Sequence, residues 1–180
     1  LIIGDATEES TLTQIRSLLG DEDLNVVISD ISPRLTGRYD TDQAISLELS
    51  TTVLDVAIDV LIPGGTFVTK TFQGTGIEGL VEAAKDRFSN VQRFAPTASR
   101  NSSSETYLIC RNKLPSARKR AEGRTAMQQV SDHLSNLGIV TEPEDLDDGV
   151  IPMVGLRRLS RKEAVSYTHI RANETPLYRV

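Results

Sequence analysis

Residues 25–37 read NVVISDISPRLTG, and the fold is decided by how this stretch is read. Val26, Val27 and Ile28 form a β-branched run short enough for a strand buried on both faces. Ser29 and Asp30 end it. Ser32-Pro33 then stops the chain from continuing as helix or strand. An acid placed where a buried strand gives way to a loop sits where open α/β sheets bind their ligands. Taken alone, Asp30 reads equally well as the start of a turn.

The flanking sequence alternates strand-like and helix-like patterns. Leu1, Ile2 and Ile3 read as the end of a buried strand closed by Gly4-Asp5. Leu12, Ile15, Leu18 and Leu19 recur at helical spacing over residues 7–19, with Glu8 and Glu9 in the first turn, where the helix dipole favours acids. Past the loop at 30–42, Thr41 or Asp40 is placed to cap a helix. Its stripe runs Ala44, Leu47, Thr51, Leu54, Ile58 and Leu61. Pro63-Gly64-Gly65 ends that helix, because proline cannot continue it and glycine supplies turn geometry. A strand is expected over 66–72, with Lys70 near its end. A helix follows with Ile77, Leu80, Val81, Ala84 and Phe88 on one face. Two strands close the series, over 91–94 and 105–111, separated by the polar loop ASRNSSS at 98–104.

This order argues for an α/β fold, a doubly wound, mostly parallel sheet with an antiparallel hairpin at one edge. Beyond Asn112 the character changes. Arg111, Lys113, Arg118, Lys119, Arg120 and Arg124 form a basic run, more readily a solvated helix face than an RNA contact. Ala117, Ala121, Val130, Leu134 and Leu137 fit one helix. Residues 142–148 are acidic, and no periodicity follows Glu163. The expected organisation is a partial catalytic domain over 1–113, an extension with one helix over 114–163, and an unstructured tail over 164–180.

Composition narrows the function. The chain has 180 residues, a net charge of −5 and 38% apolar residues. It is no polycation, so binding to nucleic acid would rest on a local patch. The single cysteine, Cys110, excludes a disulfide framework and fits a reducing, cytoplasmic compartment. No run approaches the ~18 apolar residues of a membrane span. His133 and His169 are isolated, which makes metal ligation improbable. There is no G-x-G-x-x-G, which argues against a dinucleotide oxidoreductase. The chain begins without methionine, inside a strand, so an N-terminal truncation is expected.

Three residues meet at one rim of such a sheet although they lie far apart in sequence: Asp30, Lys70 and Glu105. An amine between two carboxylates at a strand-end rim makes an acid–base cluster. The runs around them are specific: Ser29-Asp30-Ile31-Ser32-Pro33 with Gly37, Leu61-Ile62-Pro63-Gly64-Gly65-Thr66-Phe67-Val68-Thr69-Lys70-Thr71-Phe72-Gln73-Gly74, Ala98-Ser99-Arg100, and Ser104-Glu105-Thr106-Tyr107. With Gly4-Asp5 they resemble the FtsJ family, the large-subunit ribosomal RNA 2′-O-ribose methyltransferases, from Leu1 to about Lys113.

The resemblance implies a class I, Rossmann-like methyltransferase whose first strands precede Leu1. It implies that Asp30, Lys70 and Glu105 are the last three members of a Lys-Asp-Lys-Glu catalytic tetrad. It also implies S-adenosylmethionine as cofactor, held by Asp5 at the adenine and by Asp30. The partner implied is RNA, ribosomal RNA or the large subunit, met by a monomer with no membrane contact. The tetrad's first lysine and the Gly-rich cofactor loop lie upstream of Leu1 in the family pattern. Carboxylates beside an ammonium favour the charged form, which cannot accept a proton, and the further lysine offsets them. The isolated chain is therefore expected to be inactive, with an apolar strand edge left open along Val26, Val27, Ile28 and Ser29. Arg34 departs from the asparagine common in the family. The rival reading is a non-catalytic RNA-binding or ribosome-assembly protein that keeps the fold.

Overall fold

The computed structural model describes Gly4 and residues 8–20, 24–95 and 104–139. The expected first strand, Asp5, most of the Ser/Asn loop with Arg100, the acidic segment, His169 and the tail lie outside these residues. The described elements are α1 (Glu9–Leu19), β1 (Leu24–Ser29), α2 (Tyr39–Val60), β2 (Leu61–Phe72), α3 (Ile77–Lys85), β3 (Phe88–Phe94), β4 (Glu105–Lys113), a 3₁₀ turn (Lys119–Ala121) and α4 (Ala126–Asn136).

The four strands form one mixed sheet in the order β1-β2-β4-β3. β1 pairs parallel to β2, and β4 pairs antiparallel to both β2 and β3. Three strands therefore run one way, and β4 is inserted against them. Alternation along the strands gives the sheet two different faces. Phe67, Leu108 and Cys110 are fully buried and share one core with Leu47, Leu54 and Ala57 of α2, Leu80 and Ala84 of α3, and Ala126, Val130 and Leu134 of α4.

The structure departs from the sequence reading at four places, besides putting Phe88, expected on the face of α3, at the start of β3. Val26 and Ile28 are 52% and 75% exposed, against the expectation that both faces of β1 are buried. Of the three, only Val27 packs on the core, because alternation turns Val26 and Ile28 to the opposite face of the sheet.

The second departure is the start of β2, which follows α2 directly at Leu61. Leu24 pairs with Leu61 and Val26 with Thr66, so Pro63-Gly64-Gly65 forms a bulge inside the strand rather than a loop before it. Gly64 has φ +87, and a Cβ on Gly65 would lie 2.9 Å from the Ile62 carbonyl and 3.2 Å from that of Asn25.

Third, neither Thr41 nor Asp40 caps α2. Asp42, one turn in, reaches back and accepts from Thr36 N, Thr36 Oγ1 and Gly37 N at 2.8, 2.7 and 3.2 Å. Fourth, the apolar positions from Ala117 to Leu137 do not form one helix. Gly123, at φ +70, breaks them into the 3₁₀ turn and α4. Thr125 and Gln128 start α4 afresh with a reciprocal capping box.

Candidate active site

Parallel pairing brings the last residues of β1 and β2 to one rim, and the antiparallel β4 begins there. The final β1–β2 partners are Ser29 and Thr69, and the final β2–β4 partners are Phe72 and Glu105. Asp30 follows β1 directly. Lys70 lies one residue past the end of the parallel ladder, on the same side of the sheet as its partner Tyr107. Glu105 is two residues before Tyr107, so it shares that face one diagonal step from Lys70.

Lys70 Nζ lies 2.8 Å from Asp30 Oδ1, with side-chain exposures of 12% and 74% respectively. The ammonium is thus nearly enclosed, while the carboxylate faces solvent. A charge-assisted contact of this kind fixes the amine at the rim and leaves a carboxylate edge free for a second partner.

The loops around the pair are held by the first turns of α2. Ile31 N donates to Ser29 Oγ at 3.3 Å, which turns the chain just past Asp30. Asp42 pins Thr36 and Gly37 on the far side of that loop, where Arg34 and Leu35 are exposed. Tyr39 Oη donates to the Gln73 carbonyl at 2.5 Å, and Gln43 Nε2 to that of Thr75 at 2.8 Å. The turn after Lys70 is therefore clamped from α2. Gly74 is required there, because a Cβ would meet Gln43 Cγ at 2.5 Å. Reading α2 by its apolar stripe alone misses Tyr39, Asp42 and Gln43. The available signal is a row of short polar residues four apart, Asp42, Ser46 and Ser50, on a helix otherwise marked by its hydrophobes.

The basic run lies at the opposite rim. Lys113 Nζ donates to the carbonyl of Leu61, the first residue of β2, at 2.5 Å. Arg118 N donates to the Asp86 carbonyl at the end of α3. Arg120 Nε bonds the buried Asp86 carboxylate at 2.5 Å, and that hydrogen bond raises the guanidinium pKa further. Arg124 pairs with Asp132. Arg93, on β3, pairs with Glu78 at 2.9 Å. Cys110 is wholly buried, and desolvation pushes its thiol up to about 12. Among the described residues no group of three or more His, Cys, Asp or Glu is placed to hold a metal ion, and no helix is long and apolar enough to cross a membrane.

A parallel β1–β2 pair, an antiparallel strand inserted beside the edge, and a Lys–carboxylate rim define a Rossmann-like methyltransferase. The sequence profile of the FtsJ-like methyltransferases matches residues 1–113, and the chain belongs to that family. Ribosomal RNA large subunit methyltransferase E of Halorubrum lacusprofundi is 43% identical over 110 residues, which cover 61% of this chain and 41% of that protein. Its counterpart in Neisseria meningitidis is 42% identical over 112 residues, or 62% and 54% of the two chains. The crystal structure of a chain described as a ribosomal RNA methyltransferase from Plasmodium falciparum superposes with a TM-score of 0.51 at 24% identity, over 57% of this chain and 53% of that one, and supports the fold. The chain spans about half the length of the curated relatives it matches.

Proposed function

We infer that the chain carries the catalytic rim of an S-adenosylmethionine-dependent methyltransferase that acts in the cytoplasm on a ribose 2′-hydroxyl of large-subunit ribosomal RNA. The observation that carries this reading is the Lys70–Asp30 pair, 2.8 Å apart at the rim, with Glu105 on the same face of the sheet.

A ribose hydroxyl is a weak acid and a poor nucleophile. The reaction needs it aligned and its proton removed, a contribution worth roughly 10²–10⁴-fold. S-adenosylmethionine, when bound, supplies a methyl group on a good sulfonium leaving group. The chemistry of the rim fits that cation, because Asp30 presents a largely exposed carboxylate where the parallel strands end. Asp30 is the residue of the described rim that would hold its reacting end; Asp5 would take the adenine amine.

Lys70, paired with Asp30, orients the hydroxyl oxygen, and in its amine form it accepts the hydroxyl proton. Asp30 and Glu105 hold Lys70 in place. The partner recognised is RNA, met by a monomer.

The test measures methyl transfer from labelled S-adenosylmethionine to large-subunit ribosomal RNA. It uses the chain as it stands and together with any coding sequence that precedes Leu1. The expected result is no incorporation by the chain as it stands, and, with the preceding sequence restored, incorporation at a ribose 2′-oxygen that falls at least ~10²-fold in Lys70→Ala. Incorporation unaffected by Lys70→Ala overturns the reading. RNA binding without incorporation in either form identifies a non-catalytic assembly protein instead.

A further inference from the structure

We propose that Ser50 and Ser46 of α2 are positioning residues for Lys70, acting through the backbone of β2 in place of a neighbouring strand. The inference rests on the role given to Lys70 above and adds two residues to it. The parallel ladder between β1 and β2 ends at Ser29 and Thr69. Beyond it, β2 still pairs with β4 on its other side, through to Phe72 and Glu105. Backbone groups of successive strand residues point to alternate sides. Gln73 N faces β4 and donates to the Ser104 carbonyl at 2.8 Å. Lys70 O and Phe72 N face the side from which β1 has departed.

Two serine hydroxyls one helical turn apart take up these groups. Ser50 Oγ donates to the Lys70 carbonyl at 3.0 Å, and Ser46 Oγ accepts from Phe72 N at 3.0 Å. Ser50 Oγ has a single proton and shares it between the Lys70 carbonyl and the Ser46 carbonyl, which lies at 2.7 Å, and this joins the two positions within the helix. Both serines are buried, at 0% and 2% exposure, so water cannot replace either hydroxyl without rearrangement. The last residues of β2 are thus locked from both sides, by strand β4 and by a pair of helix hydroxyls. Lys70 is the residue whose carbonyl is held, and its ammonium reaches Asp30 from that fixed point.

A serine placed for helix packing alone would give a different result. Thr52 Oγ1 bonds the Glu48 carbonyl at 3.0 Å, the same back-bond within α2, and so serves as the control. The experiment is competitive acetylation of the folded chain by an amine-reactive ester, read by mass spectrometry at Lys70 relative to the exposed Lys85 in the same molecule. Thermal unfolding by circular dichroism confirms that each variant is folded at the labelling temperature.

Ser50→Ala is expected to raise Lys70 labelling about fivefold, the effect of one lost hydrogen bond. Ser50→Thr restores the wild-type rate, and Thr52→Ala leaves it unchanged. If Ser50→Ala does not fold, Ser46→Ala carries the same expectation through Phe72. A Lys70 rate in folded Ser50→Ala or Ser46→Ala equal to wild type overturns the inference, whatever the methyl-transfer assay shows. A rate that also rises in Thr52→Ala overturns it too, as general loosening of α2. A raised rate confined to the serine variants, in a protein whose methyl transfer survives Lys70→Ala, supports the positioning and overturns the proposed function instead.

Discussion

Lys70 lies on β2 and Asp30 directly follows β1, the neighbouring strand, and their charged atoms meet 2.8 Å apart just beyond the point where those strands stop pairing. The pair is asymmetric: the lysine is nearly enclosed and the aspartate is largely open. An open carboxylate contributes little to folding, since solvent screens it and an exposed ion pair is worth ~0–1 kcal/mol. Asp30→Asn is therefore expected to leave the urea midpoint almost unchanged while methyl transfer to ribosomal RNA, assayed with any coding sequence that precedes Leu1 restored, falls about 10²-fold. Paired denaturation and methyl-incorporation measurements on one preparation check this. A variant that loses both together would show Asp30 to be structural.

Gly76 begins α3 at φ +86, and a Cβ there would come within 2.7 Å of both Leu47 and Leu134. Two costs fall on one atom, the left-handed backbone and the overpacked junction of α2, α3 and α4. Gly76→Ala is expected to destabilise the chain by about 3 kcal/mol, read as a lowered urea midpoint. Gly123→Ala, at φ +70 with nothing within 4 Å, should cost clearly less.

Asp55 joins elements 71 residues apart: its Oδ1 accepts from Ala126 N at 2.6 Å and its Oδ2 from Met127 N at 3.1 Å, at the start of α4. Burial raises its pKa above the ordinary 3.8, more than these two hydrogen bonds and the Arg87 charge lower it. The native state therefore holds the proton more tightly than the unfolded chain. The stability that comes from this protonation is present below pH 3.8 and is lost as pH rises through the raised value. Asp55→Asn has no such dependence. The difference in stability between wild type and Asp55→Asn should move in favour of wild type as pH falls from about 7 to about 4, as read by urea titration at each pH.

Cys110, on β4, is fully buried in the core, and its thiol is pushed up to about 12 by desolvation. The thiolate is the reactive form. At about pH 8 the folded chain is expected to resist a thiol reagent for hours and to react with one equivalent within minutes in denaturant. Rapid labelling of the folded chain would mean that the core opens locally.

Ile28 is 75% exposed on a strand that, among the described residues, pairs on one side only. An exposed apolar edge invites pairing between copies, and a lysine there blocks it. Ile28→Lys is expected to change stability by less than about 0.5 kcal/mol and to lower self-association measured by light scattering. Unchanged self-association would show that this edge is not the sticking surface.

Much of the site is legible in the amino-acid sequence, because each member stands at a local signal. Asp30 follows a β-branched run and precedes Ser-Pro, Lys70 ends a strand opened by Pro-Gly-Gly, and Glu105 opens the last strand. These signals survive because strand ends are set by nearby residues. The bulge at Pro63-Gly64-Gly65 looks like a loop in the sequence because its shape depends on pairing with Leu24 and Val26. The polar side of α2 is harder to read, since Ser46, Ser50 and Asp42 look solvated until the strands and loops that they hold are in place.

The sequence alone determined the alternation of elements, the family, and the three residues that stand at strand ends, since periodicity and turn chemistry act within a few positions of one another. The tertiary structure alone decided that the Lys70 ammonium meets Asp30, that the basic run faces the opposite rim, and that two helix serines take over where β1 leaves off. Those facts depend on strand order and register, which bring together groups tens of residues apart, and no local pattern encodes which partner a backbone carbonyl will find.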